Sequence, residues 1–182
     1  MSTRARVVTI SIIMMIMLAL LPASAVIARS PARLENPLTA AIQAAPGQVG
    51  THNFHAHLNG SANVPAYDTS AQGQALFKFS EDAQTLYYKI TAANIEDVFA
   101  SHIHCAPAGA NGPVGVTLLL LSEPVSNPDG VLVEGTVSQP DPGNQCGWTS
   151  LADVEDAIRA GDAYVNLHTT AHHSGEIRGQ IR

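Results

Sequence analysis

Three histidines carry the clearest chemical signal in this chain. His102 and His104 alternate along a predicted strand on which Phe99 and Ile103 face inward, so both imidazoles project from the opposite face. His168 has the same outward phase in a later predicted strand. Two imidazoles at this spacing can share one ion, and a third on a neighbouring strand would make a site that suits copper or zinc. The pattern therefore predicts a candidate metal site.

Two further residues are candidates to complete that coordination shell, His172 and Glu176. A structural role is the alternative, in which His102, Asn166 and His168 form a polar ladder that is hydrogen-bonded to loop backbone. Residue type and spacing leave both interpretations open. If a metal binds, it needs neutral imidazoles, and we expect its affinity to fall as the pH drops through about 6.5.

Charged residues alternate near the end of the chain at Glu176 and Arg178. Opposite charges at alternate strand positions often pair on a solvated face, where they contribute little stability. Arg178 could instead act as a fork that binds a carboxylate, with Asn166 as a second ligand-binding residue. The sequence does not separate these two interpretations.

The two cysteines, Cys105 and Cys146, lie beside turn-forming sequence. In an oxidising compartment they are expected to form one disulfide that closes a loop of about 40 residues. The alternative is a thiolate metal ligand, because Cys105 directly follows His104.

Short apolar or alternating runs recur between turn signals, which is typical of an all-β domain. One helix is predicted after Ser150, where Asp153 stands three residues on as in a capping box, and Gly161 ends it. The pattern predicts a β-sandwich with one short helical crossover. The predicted strands are His52–Asn59, Gln74–Ser80, Thr85–Thr91, Val98–His104, Val114–Leu121, Val131–Val137, Tyr164–Thr169 and Glu176–Ile181.

The beginning of the chain has the features of an export signal. Arg4 and Arg6 precede an apolar run, and small residues at 23–25 fit a cleavage site. We expect residues 1–25 to be a signal peptide, 26–50 a Pro/Ala-rich linker and 51–182 the folded domain; an uncleaved membrane anchor is the alternative. Without the signal, seven basic residues remain against fifteen acidic ones, a net charge of −8. Such a surface does not suit nucleic acid or an anionic membrane.

Several stretches share their order and spacing with a known family. They are Phe54–Gly60, Gly73–Ala75, Leu86–Ile90, Ser101–His104 with Asn111–Val114, and Tyr164–Thr169 with Gly175–Ile181. Over roughly residues 52–182 the chain resembles the CHRD, or chordin-type, domain. The resemblance implies an immunoglobulin-like, Greek-key β-sandwich and a secreted context, but it implies no established reaction.

These observations predict a secreted, periplasmic or cell-surface binding module, with an extracellular protein or a small ligand as partner. An enzyme is the less favoured interpretation, because the sequence carries no nucleophile elbow and no phosphate loop. The alternative function is a copper-dependent redox protein, since superoxide dismutases also place His-x-His on a strand of a β-sandwich. That similarity is limited to the pattern, because their long metal loop has no counterpart here.

Overall fold

Eight antiparallel strands form one continuous sheet in the computed structural model, which describes residues 52–126 and 129–182. The order across the sheet is β5-β4-β7-β8-β1-β2-β3-β6. The strands are β1 Asn53–Asn59, β2 Gln72–Phe79, β3 Leu86–Ala93, β4 Val98–Cys105, β5 Val114–Val125, β6 Gly130–Val137, β7 Ala163–Thr169 and β8 Ile177–Gln180; a 3-10 turn covers Gly60–Ala62, and helix α1 covers Leu151–Ala160. The predicted signal peptide and linker lie outside the described residues.

The sheet coils into a nearly closed, sandwich-like barrel. Tyr88 on β3, next to edge strand β6, donates a hydrogen bond of 2.6 Å to the carbonyl of Leu118 on the other edge strand, β5. The all-β fold with one short helix is therefore confirmed. Each predicted strand is present, with ends that differ by a few residues.

Alternation of apolar and polar residues explains the core. On β1 and β2 every second side chain is buried and its neighbours are exposed, because successive residues of a strand face opposite sides. Removing these apolar side chains from water is the main favourable term in folding. The core includes Phe54, Leu58, Phe77, Phe79, Leu86, Ile90, Ile103, Val165, Leu167, Ile177 and Ile181.

Helix α1 packs a stripe of apolar side chains against this core. The Ser150 side chain accepts a hydrogen bond from the Asp153 backbone N–H, and the Asp153 side chain in turn accepts one from the Ser150 backbone N–H. Gly161 ends the helix in the left-handed conformation (φ 80°). The predicted cap and stop are both confirmed. No helix among the described residues is long and apolar enough to cross a membrane.

One strand departs from the alternation that the sequence predicts. All seven residues of β7 are buried, although Asn166 and His168 were expected on an outward face. β7 is an interior strand of the sheet, between β4 and β8. Gly112, before β5, hydrogen-bonds the Tyr164 hydroxyl, and the carbonyl of His173, after β7, accepts from His168. The polar side of β7 is consequently a second, buried layer.

Candidate metal centre

The three predicted histidines converge on the buried polar side of β7. Strands β4 and β7 pair antiparallel, with His102 opposite Asn166 and Ala100 opposite His168. Each histidine offers one ring nitrogen, and these three atoms all lie within 4.8 Å of one another. Nδ1 of His102 is 3.0 Å from Nε2 of His168. The pairing of two strands more than sixty residues apart thus creates the cluster.

Loop carbonyl groups fix the orientation of two of these rings. Nδ1–H of His104 donates to the carbonyl of Gly112 at 2.9 Å, and Nδ1–H of His168 donates to the carbonyl of His173 at 2.8 Å. A carbonyl can only accept, so in the neutral ring the proton sits on Nδ1 and the lone pair on Nε2. Histidines that bind metals commonly donate their other N–H in this way.

Burial keeps the cluster uncharged. The pKa of His102 is lowered from 6.5 to about 4, chiefly by removal from water and also by the neighbouring His168 and His104. Burial also lowers the pKa of His104 and of His168. Burial therefore favours the neutral form of all three imidazoles.

Asn166 contacts the cluster directly. Its side-chain Oδ1 lies 3.1 Å from Nε2 of His104, and its backbone carbonyl accepts from the Ser101 hydroxyl at 2.9 Å. Nε2 of a neutral His104 is an acceptor, so in this orientation of the Asn166 amide two acceptors face each other. Turning the amide so that its N–H₂ points at the ring would give Nε2 a donor, and a cation between the two atoms would satisfy both.

Tyr164 forms a stack beside His104 that the sequence analysis missed. The two rings are 4.7 Å apart and 4° from parallel, and the guanidinium carbon of Arg178 lies 3.4 Å from the centre of the Tyr164 ring. Alternation along β7 puts Tyr164 on the same side as Asn166, which is the signal that could have found it.

Phe99 also lies beside the cluster, although it was expected in the core. Its ring centre is 6.1 Å from that of His168 and 5.1 Å from that of His173. The register of β4 shifts between Val98 and Ala100, so the regular alternation fails at this residue.

His172 and Glu176, the two candidates for completing the coordination shell, lie outside the cluster of three histidines. Within the described part of the chain, the group of close ligand atoms contains the three histidines alone. The Glu176 carboxylate accepts hydrogen bonds of 2.8 Å from the hydroxyls of Thr69 and Thr169. The His172 ring lies 4.7 Å from the ring of Tyr67.

The interpretation of Glu176 and Arg178 as an ion pair on a solvated face is wrong. Both side chains are buried, and the ion pairs among the described residues do not include them. Arg178 instead donates to Oδ1 of Asn111 at 3.2 Å and to the carbonyl of Pro107 at 3.4 Å. The 106–113 loop contacts Arg178, and Thr69 and Thr169 bind Glu176, so each side chain has its own neutral partners. Alternation alone says nothing about what lies over a polar face.

Cys105 and Cys146 form a disulfide, with Sγ atoms 2.05 Å apart. A bonded sulfur is not a thiolate, so Cys105 is no metal ligand in this state. The bridge joins the end of β4, one residue beyond His104, to the segment that precedes α1.

Comparison with protein families gives one result that matches this architecture. The model of the CHRD domain matches residues 54–181, most of the chain. The chain belongs to the CHRD domain family. The match spans β1 to β8 and thus includes all three histidines of this CHRD domain. Comparisons with curated proteins and with solved structures give no significant match.

Proposed function

We propose that this CHRD module binds one transition metal ion, copper or zinc, through His102, His104 and His168. The observation that carries the proposal is the convergence of three ring nitrogens within 4.8 Å. Loop carbonyls hold the other ring nitrogen of His104 and of His168, which leaves Nε2 to bind.

The spacing suits a metal after small side-chain adjustments. Tetrahedral zinc with bonds of about 2.0–2.1 Å to nitrogen separates its ligand atoms by about 3.4 Å. Nδ1 of His102 and Nε2 of His168 are 3.0 Å apart, a distance that suits a hydrogen bond when no metal is bound. Metal binding at Nδ1 of His102 would require the ring proton to move from Nδ1 to Nε2, and a bound cation would then hold these two atoms slightly farther apart.

The donor set indicates what a bound ion could do. Three neutral imidazoles suit both zinc and copper, and they leave a fourth position for water or a ligand. His102 is only half-buried, whereas His104 and His168 are buried. A bound metal would supply Lewis-acid chemistry or, as copper, redox chemistry.

We also propose that the module works outside the cytoplasm, as a secreted, periplasmic or cell-surface protein. A disulfide between Cys105 and Cys146 is the state expected in an oxidising compartment, and residues 1–25 have the pattern of an export signal. Binding an extracellular protein or small ligand is the role that we favour over catalysis.

Calorimetry with Zn²⁺ and Cu²⁺ on protein stripped of metal tests the site. We expect a stoichiometry of one ion per chain, with affinity lowered at least 100-fold in His102→Ala. This variant is preferred to His168→Ala, because His168 is only 8% exposed and its loss also removes a buried hydrogen bond. His57→Ala, which removes an exposed imidazole from β1, is the matched control and should bind as the parent does.

Two outcomes would contradict the proposal: no binding by the parent at neutral pH, or unchanged affinity in His102→Ala. Electron paramagnetic resonance of the copper-loaded protein, followed by reduction and reoxidation, addresses the redox alternative. Reversible redox cycling with turnover of superoxide would support a copper-dependent redox protein. Zinc binding without redox activity would support the binding module.

A further inference from the structure

Arg178 also lines a cleft that is separate from the histidine cluster. This cleft, of about 430 Å³, runs between β1, β8 and the segments around Asn63 and Gly109. This size is in the range of sites for small molecules. His55 and His57 on β1 and Arg178 on β8 are among its lining residues.

The charge of the cleft is opposite to that of the protein. The chain carries a formal net charge of −6, but no acidic side chain is among the described residues that line the cleft. The residues that line it include two arginines, Arg178 and Arg182, and two histidines, His55 and His57. A concave site lined by one sign of charge concentrates ions of the opposite sign.

Arg178 is the distinctive residue of this site. It is 2% exposed, and the ion pairs among the described residues do not include it. Its two hydrogen bonds, of 3.2 and 3.4 Å, go to neutral oxygens and use two of its five N–H donors. A buried charge is costly without a counter-ion, and the Tyr164 ring offsets only part of that cost.

We propose that this cleft binds a small organic anion through a carboxylate or phosphate group held by Arg178. A guanidinium presents its donors in a planar fork that matches both kinds of oxyanion. Arg182 and the exposed imidazoles of His55 and His57 would bind the outer part of the ligand. The site does not require a metal at the histidine cluster.

Titration of ¹⁵N-labelled protein with inorganic phosphate and with succinate, at constant ionic strength, tests this proposal. We expect saturable shifts for at least one of the two, largest at the backbone amides of Asn63, Gly109 and Gly179. Saturation by phosphate alone would assign a phosphoryl ligand, and saturation by succinate alone would assign a carboxylate ligand. Arg178→Lys keeps the charge but loses the fork, and should weaken binding about tenfold.

Lys89→Gln is the matched control, because it removes one positive charge from β3, two strands away from β1, and should leave the affinity unchanged. His102→Ala should also bind the anion normally, which separates this site from the proposed metal site. If Arg178→Lys does not fold, the same titration is made with Arg182→Gln and His57→Gln. Each of these variants should weaken anion binding at least threefold. Absence of saturable shifts with both anions, or equal losses in Lys89→Gln, would overturn the proposal.

Discussion

The His104 imidazole and the Tyr164 ring stack with their planes 4° from parallel and their centres 4.7 Å apart. Gly112 joins the pair, because its carbonyl accepts from His104 and its N–H donates to the Tyr164 hydroxyl at 3.3 Å. The stack and the shared Gly112 contacts together fix the plane of the His104 ring. The guanidinium of Arg178 covers the same ring, so Tyr164 contacts residues of both proposed sites.

Two substitutions of Tyr164 should distinguish the contribution of its ring to zinc affinity from that of its hydroxyl. Tyr164→Leu removes the stack and should weaken zinc binding by about 10-fold to 100-fold, the usual effect of losing a group that orients a metal ligand. Tyr164→Phe keeps the stack and loses only two long hydroxyl contacts, so its affinity should stay within about threefold of the parent value. Calorimetry on both folded variants makes this comparison, and equal losses would show that the stack does not position His104.

The stability of the metal-free protein should fall as the solution is acidified. In the unfolded chain His102 takes up its proton near pH 6.5, whereas in the folded protein burial lowers its pKa to about 4. The unfolded state consequently binds more protons between these values, and the free energy of unfolding decreases as the pH falls from about 6.5 to about 4. His104 and His168, with pKa values lowered in the same direction, add to this effect.

Urea unfolding at pH 7.5, 6.0 and 5.0 measures this dependence. His102→Gln should show a shallower loss of stability than the parent, because it removes one of the responsible groups. His57→Gln, a substitution at an exposed position on β1, should keep the slope of the parent. A parent protein that becomes more stable on acidification would contradict the account.

Removing the disulfide should destabilise the domain without abolishing the metal site. The bond closes a loop with a sequence separation of 41, for which the chain-entropy model gives about 4 kcal/mol. We expect the double variant Cys105→Ser/Cys146→Ser to unfold at lower urea concentration by an amount that corresponds to this value. The single variant Cys105→Ser should lose as much, because it also opens the bridge.

Thiol labelling of the denatured, unreduced parent supplies the control for that experiment. Neither cysteine should react before reduction, and both should react after it. Labelling of both without reductant, or full stability in the double variant, would contradict a structural role for the bridge.

Local sequence determined the secondary structure of this protein and the composition of its polar face. Alternation separates Val165 and Leu167 from Asn166 and His168, and the same rule separates Ile103 from His102 and His104. The capping residues of α1 are equally local. These features were predictable because each depends on side chains within a few positions of one another.

The tertiary structure decided which polar residues meet and what covers them. The pairing of β4 with β7 is a contact between distant segments, and it brings His168 to His102. The packing of other segments places Glu176 against Thr69 and Thr169 instead. The same packing buries Arg178 beside Tyr164, where local charge had suggested an ion pair on a solvated face. Alternation assigns a residue to a side of a strand, but the neighbouring strand and the loop above it depend on the order of strands in the sheet. That order is set by burial of the core as a whole, which no short stretch of sequence encodes.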